Sequence, residues 1–170
     1  ANSDWLYDGK GNDLLIGGDG ADSLQSSSGQ DTLIGGNGDD YLSGGIHLSG
    51  GDGNDDLRSG ALDSALYGGA GDDSLLGGSG QNTLSGGGGN DDLTGGSGVD
   101  TFSFGADWDH DTVHDFSVGV DILDMSGTGL SYDDLTISQQ GTDVLIQGAG
   151  NSITIADANV ADFNEDGIAF

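Results

Sequence analysis

One large apolar residue returns at a fixed interval along the first hundred positions. It is Leu6, Leu15, Leu24, Leu33, Leu42, Leu48, Leu57, Leu66, Leu75, Leu84, Leu93 and Phe102. The step is nine residues throughout, except that Leu42 and Leu48 lie six apart. Each sits at the centre of a three-residue strand, where alternation turns it to one face and its neighbours to the other. Glycine-rich segments of six residues fill the gaps and supply tight turns. The pattern predicts an all-β fold, a right-handed parallel β-roll (β-helix). Two repeats make one turn, two parallel sheets face each other, and Leu stacks on Leu between them.

The fullest copy is Gly86-Gly87-Gly88-Gly89-Asn90-Asp91-Asp92-Leu93-Thr94, of the form G-G-x-G-x-D-x-U-x with U apolar. The same form begins at Gly17, Gly35, Gly50, Gly68 and Gly95. Its sixth position holds Asp4, Asp13, Asp22, Asp31, Asp40, Asp55, Asp73, Asp91 and Asp100, with Ile46, Ser64 and Asn82 as exceptions. Calcium takes six to eight oxygen ligands, and such a loop offers carbonyls plus one carboxylate. Magnesium, with its smaller octahedral shell, suits it less.

Two copies are damaged. Gly44 to Ser49 has lost three loop residues, and Ser59 to Tyr67 carries Leu62 and Ser64 in its loop. Counting both as rungs keeps Leu48 and Leu66 on the ladder and sorts the loops onto two edges. The loops from Gly17, Gly35, Gly50, Gly68 and Gly86 fall on the first edge, and those from Asp8, Ser26, Gly44, Ser59, Gly77 and Gly95 on the second. The alternative is that Gly44 to Ser49 is a bulge that scrambles this phase.

On the alternating reading the first edge carries an unbroken calcium column. Its candidate ligands are Gly17, Gly18, Asp19, Gly20 and Asp22; Gly35, Gly36, Asn37, Gly38 and Asp40; and Gly50, Gly51, Asp52, Gly53 and Asp55. Gly68, Gly69, Ala70, Gly71 and Asp73 follow, then Gly86, Gly87, Gly88, Gly89 and Asp91. About four ions would be shared between successive loops. The second edge is sparser, with one ion near Asp13 and Asp31, another near Asn82 and Asp100, and none in the middle. About four to six Ca2+ ions are expected in all.

Composition agrees with a cation-dependent fold. Thirty acidic residues face two basic ones, Lys10 and Arg58, for a net charge of −28. That sign argues against nucleic acid and anionic membranes as partners. The acids fall at fixed repeat positions, not in runs, which argues against a disordered tail. There is no Cys for a disulfide. A single file of leucines does not offset the ordering of a glycine-rich chain, so ion binding must contribute folding energy. No apolar stretch long enough to span a membrane and no secretory leader are visible. Ala1 to Tyr7 look like the last seven positions of a repeat, which predicts a fragment of a longer polypeptide with a domain upstream.

After Ser103 the repeat stops. Two domains are expected: a roll over 1–103 and a β-rich cap over 104–170. Strands are predicted at Thr112 to Phe116, Val120 to Met125, Asp134 to Ser138, Asp143 to Gln147, Ser152 to Ile155 and Gly167 to Phe170, paired antiparallel over the open end of the roll. Outward residues of the second-edge strands (Leu14, Ile16, Ile34, Ala65, Tyr67) are more apolar than those of the other sheet. They form either a docking face or scattered surface apolar groups.

Enzyme chemistry finds no foothold. His110 and His114 have the spacing of a zinc helix, but Thr112 and Val113 favour a strand, on which the histidines would stand ~13 Å apart. No G-x-S-x-G elbow or G-K-[ST] phosphate loop occurs. The repeat already accounts for nearly all the ordered carboxylates.

The nonapeptides resemble the RTX (hemolysin-type calcium-binding) family. Gly98-Val99-Asp100-Thr101-Phe102-Ser103-Phe104, Asp111 to Asp121 and the acidic-then-apolar end Glu165-Asp166-Gly167-Ile168-Ala169-Phe170 resemble the C-terminal region of serralysin-type exoproteins. The resemblance implies a non-catalytic calcium-binding module that folds outside a Gram-negative cell. It implies export by the type I secretion machinery through a C-terminal signal. It also implies an upstream catalytic or adhesive part, such as a protease, lipase or epimerase. The alternative is a carbohydrate-binding or adhesive module, with a polysaccharide as partner. The loops at Ser26, Gly44 and Ser59 depart from the family pattern.

Overall fold

The computed structural model describes residues 2–163 and 168–170. The chain winds between two sheets. One holds β1 (Trp5–Tyr7), β3 (Ser23–Gln25), β5 (Tyr41–Ser43), β7 (Asp56–Arg58), β9 (Ser74–Leu76) and β11 (Asp92–Thr94), then β13 (His110–Val113), β17 (Asn151–Ile155), β16 (Asp143–Gly148) and β15 (Thr136–Gln140). The other holds β2 (Leu14–Asp19), β4 (Thr32–Asn37), β6 (His47–Asp52), β8 (Ala65–Ala70), β10 (Thr83–Gly88), β12 (Thr101–Ser103), β14 (Ile122–Asp124) and β18 (Ile168–Ala169). All pairings are parallel except β15 with β16 and β16 with β17.

The register settles the phase. Leu33 pairs Leu48 and Leu48 pairs Leu66, so both damaged copies are full rungs and the loops alternate edges. The ladder from Leu24 to Phe102 is 1% exposed or less at every step, so each rung adds one dry layer.

The two sheets differ in a way the nine-residue pattern does not announce. From β1 to β11 the strands of the first are three residues long, whereas β2, β4, β6, β8 and β10 run for six. The extra three are the Gly-Gly-x of the first-edge loops. These loops are all intact, so their backbones stack in register (Gly18 on Gly36, Gly51, Gly69 and Gly87) and pairing continues around the corner. On the second edge the loops are irregular, and among the described residues pairing within them is reduced to the bridges Lys10–Ser28 and Ser79–Ser97.

The cap is antiparallel over β15 to β17, as the sequence suggests, but the parallel stack does not end at Ser103. β13 adds to β11, β17 to β13, β14 to β12 and β18 to β14, all in parallel. Phe102, Phe116 and Phe163 form an aromatic file with centroids 6.0 and 5.8 Å apart, and Trp108 meets Phe104 edge-on. Val113, Leu123, Val144, Ile146, Ile153 and Ile155 complete this buried end. Among the described residues no helix is long and apolar enough to cross a membrane.

Candidate metal centre

The site begins with one aspartate repeated up the first edge. Asp22, Asp40, Asp55, Asp73 and Asp91 end their loops just before a strand, which turns their carboxylates inward, and all are 1–3% exposed. Each spends Oδ1 on the rung below. Asp4 N–H donates to Asp22, Asp22 to Asp40, Asp40 to Asp55, Asp55 to Asp73, and Asp73 to Asp91, at 2.6–2.9 Å. Each then has a second oxygen, Oδ2, buried without any partner. A row of orphaned carboxylate oxygens costs free energy unless a cation meets it.

The first glycine of each loop shows where that cation fits. A Cβ built on Gly17, Gly35, Gly50 or Gly68 would meet the loop's own Asp Oδ2. It would also lie 2.5–2.7 Å from the carbonyl oxygen of Gly35, Gly50, Gly68 or Gly86 on the next rung. Four gaps therefore each hold a carboxylate oxygen and a backbone carbonyl, the hard oxygen set that calcium prefers. The residues present fit calcium. Positive φ along Gly18, Gly36, Gly51, Gly69 and Gly87 (107–127°) keeps these carbonyls in line. The fourth-position glycines Gly20, Gly38, Gly53, Gly71 and Gly89 share that conformation. The third-position residues Asp19, Asn37, Asp52, Ala70 and Gly88 stack on the outer side in the same register.

Electrostatics point the same way. Burial, with the neighbouring carboxylates adding to it, raises Asp55 to about 6 and Asp73 to about 7, and pushes Asp40 and Asp91 upward too. Without a metal, burial therefore shifts these acids toward their protonated form.

The column also runs further than the repeat. Asp111 accepts from Asp91 N–H at 2.9 Å, is 2% exposed, and is raised by burial to about 8. On the second edge Asp121 accepts from Asp100 N–H at 2.9 Å. Sequence reasoning assigned both to the cap because no glycine loop precedes them. The signal was present: Asp111-Thr112-Val113 and Asp121-Ile122-Leu123 keep the D-x-U core of the repeat. A second ladder was missed as well. At the fifth loop position, Asp39 Oδ1 accepts from Asn54 N–H, Asn54 from Asp72, and Asp72 from Asn90, at 2.8–3.0 Å.

The second edge is different at each level. Near its start Asp13 N–H donates to Asp31 Oδ1 at 2.8 Å, and Asp31 Oδ2 is an orphan. Its middle is a notch of about 280 Å³ where the short loop leaves space between Ser26–Gly29 and Gly60–Leu62. At Ser59 a hydroxyl donates to the Gly77 carbonyl, the kind of oxygen an ion takes on the other edge. Asn82 goes further: its Nδ2 donates to Gly80 O (3.3 Å), Gly95 O (3.3 Å) and Asp100 Oδ1 (3.0 Å). An amide N–H group stands there in the role of the ion expected beside Asp100. The two histidines do not converge. His110 pairs with Ser152 and His114 with Asp92.

A profile described as the RTX calcium-binding nonapeptide repeat matches the chain in four copies, over residues 1–33, 16–46, 47–66 and 67–102. No curated protein matches in sequence. Among solved structures, the AlgE6R3 subunit of the Azotobacter vinelandii mannuronan C5-epimerase aligns at 25% identity and TM-score 0.56, covering 76% of this chain and 79% of that one. The AlgE6R2 subunit aligns at 27% and 0.54, covering 82% and 92%. The extracellular lipase LipA of Serratia marcescens shares the fold at 19% identity and TM-score 0.50. That alignment takes in 98% of this chain and spans 42% of the lipase.

Proposed function

The chain belongs to the RTX calcium-binding nonapeptide repeat family, and from that premise we propose that it is the calcium-triggered folding module of a larger secreted protein. About four ions fill the first-edge gaps, and one more binds on the second edge beside Asp31. The observation that carries this reading is the row of buried Oδ2 atoms on Asp22, Asp40, Asp55, Asp73 and Asp91. In low calcium these oxygens are crowded and unmet in a buried place, so the roll is unfavourable; with calcium, binding energy becomes folding energy. The roll over 1–103 acts as the sensor and 104–170 as its closing end. Export through a type I route rests on the resemblance of the C-terminus, whose residues Glu165, Asp166 and Gly167 lie outside those described.

The test is a calcium titration of the metal-free chain by circular dichroism, with stoichiometry from calorimetry. A cooperative coil-to-β transition with about four to six ions, not reproduced by magnesium, is the expected result. A chain already folded in chelator would falsify it. A second reading, a carbohydrate-binding module of a polysaccharide-modifying enzyme, is favoured by the likeness to two epimerase subunits. Retention of the calcium form on immobilised mannuronan supports that reading, and passage straight through removes it.

A further inference from the structure

Asp8 stands where every first-edge loop has glycine. In those loops a side chain at this place would collide with the carboxylate of the loop's own Asp and with the next carbonyl. The loop from Asp8 avoids the collision by departing from the standard backbone. Gly9 lies outside the left-handed region that Gly18 occupies at φ 107°. The carboxylate of Asp8 therefore has room, and it turns toward two others. Asp8, Asp13 and Asp31 each present an oxygen within 4.8 Å of the other two. Three oxygens that close bring their common centre to about 2.8 Å or less from each, so small side-chain shifts let one hard cation reach its usual bond of about 2.4 Å to all three.

The cluster is built, not merely acidic. Asp31 is fully buried, its Oδ1 is fixed by Asp13 N–H at 2.8 Å, and its Oδ2 has no partner. Asp8 is held by Ser27 N–H to Oδ1 at 3.1 Å, and its Oδ2 is likewise buried and unmet. Two orphaned oxygens, each anchored through its twin, face one place. Beside it opens a cleft of about 690 Å³ lined by Trp5, Tyr7, Asp8, Lys10, Asp13 and Leu14.

We propose that Asp8, Asp13 and Asp31 form a three-carboxylate cation site at the start of the second edge, different in kind from the carbonyl-rich first-edge gaps. It rests on the reading of the roll as a calcium module but makes Asp8, outside the nonapeptide ligand set, the deciding residue. Three side-chain charges on one ion favour high charge density, because ligand charge count sets affinity at oxygen sites. A trivalent lanthanide therefore binds here ahead of the first-edge gaps, each of which offers one free carboxylate oxygen.

Terbium added to the calcium-saturated full chain tests this, with luminescence excited through tryptophan. Trp5 lines the adjoining cleft, whereas Trp108 is buried at the far end of the roll. The first terbium equivalent should give a signal that Trp5→Phe removes. Asp8→Asn should weaken that first equivalent on the order of tenfold or more. Asp8→Gly, which restores the usual loop residue, should weaken it likewise. An unchanged first equivalent in both Asp8 variants, or a signal that survives Trp5→Phe, overturns the site. Absence of any calcium transition in the parent chain overturns the folding module instead, and the Asp8 comparison still decides this site.

Discussion

An aspartate in this roll has two oxygens with two fates. Oδ1 is locked into the rung below, and Oδ2 is left for a cation or a proton. Calcium and protons therefore compete for one atom, and the raised pKa values give the competition its direction. Asp55, Asp73 and Asp111 move from the ordinary 3.8 to about 6, 7 and 8, chiefly through burial. The folded metal-free chain then binds more protons than the unfolded chain across that window. Its stability falls as pH rises from 3.8 towards about 8 and returns in acid. Calcium affinity runs the opposite way, since ligands must be deprotonated. Titrations at the two ends of the window should show weaker calcium binding in acid and more residual β signal there without metal. The reverse order at the acid end would show that burial does not govern these groups.

Asn82 and Asp73 occupy equivalent places in loops on opposite edges and each buries an unmet oxygen, yet Asn82 also donates hydrogens from Nδ2 where Asp73 carries only acceptors. The contrast defines what a loop needs to bind an ion, and it can be reversed by one atom. Asn82→Asp removes the donor that satisfies Gly80, Gly95 and Asp100, and leaves oxygens facing one another. The variant should take up one more calcium by calorimetry and become more dependent on it for folding. An unchanged stoichiometry would mean that the second edge fails for a reason beyond its sixth residue. Much of this was legible in the sequence. A single Leu per rung fixes the ladder, and Leu48 and Leu66 fix the phase through two damaged copies. Asp111 and Asp121 were hidden because the glycine loop, the louder half of the motif, is missing before them. The fifth-position ladder was hidden because Asp39, Asn54 and Asp72 are alike only as acceptors, with Asn90 donating at the end of the file, which emerges once rungs are stacked. The six-residue strands depend on neighbouring loops matching, which no single repeat records.

At the scale of the whole chain, a net charge of −28 opposes any compact state. Monovalent salt screens exposed charges beyond a Debye length of about 10 Å at 0.1 M. It does nothing for an oxygen buried between two rungs. Sodium chloride added to the metal-free chain should therefore leave the circular dichroism of a coil, while shifting the calcium midpoint where exposed acids such as Asp19 and Asp52 draw ions inward. Folding by sodium chloride alone would show that repulsion, not ligation, is what calcium relieves.

The notch between Ser26–Gly29 and Gly60–Leu62 has a mechanical meaning. One flank of the roll is continuous backbone pairing through five stacked loops, and the other is interrupted at its middle. Such an object behaves as a beam with one reinforced flange. It resists stretching along the first edge and yields at the second, so it flexes about a single line near the short loop, where three missing residues place a joint in an otherwise stiff rod.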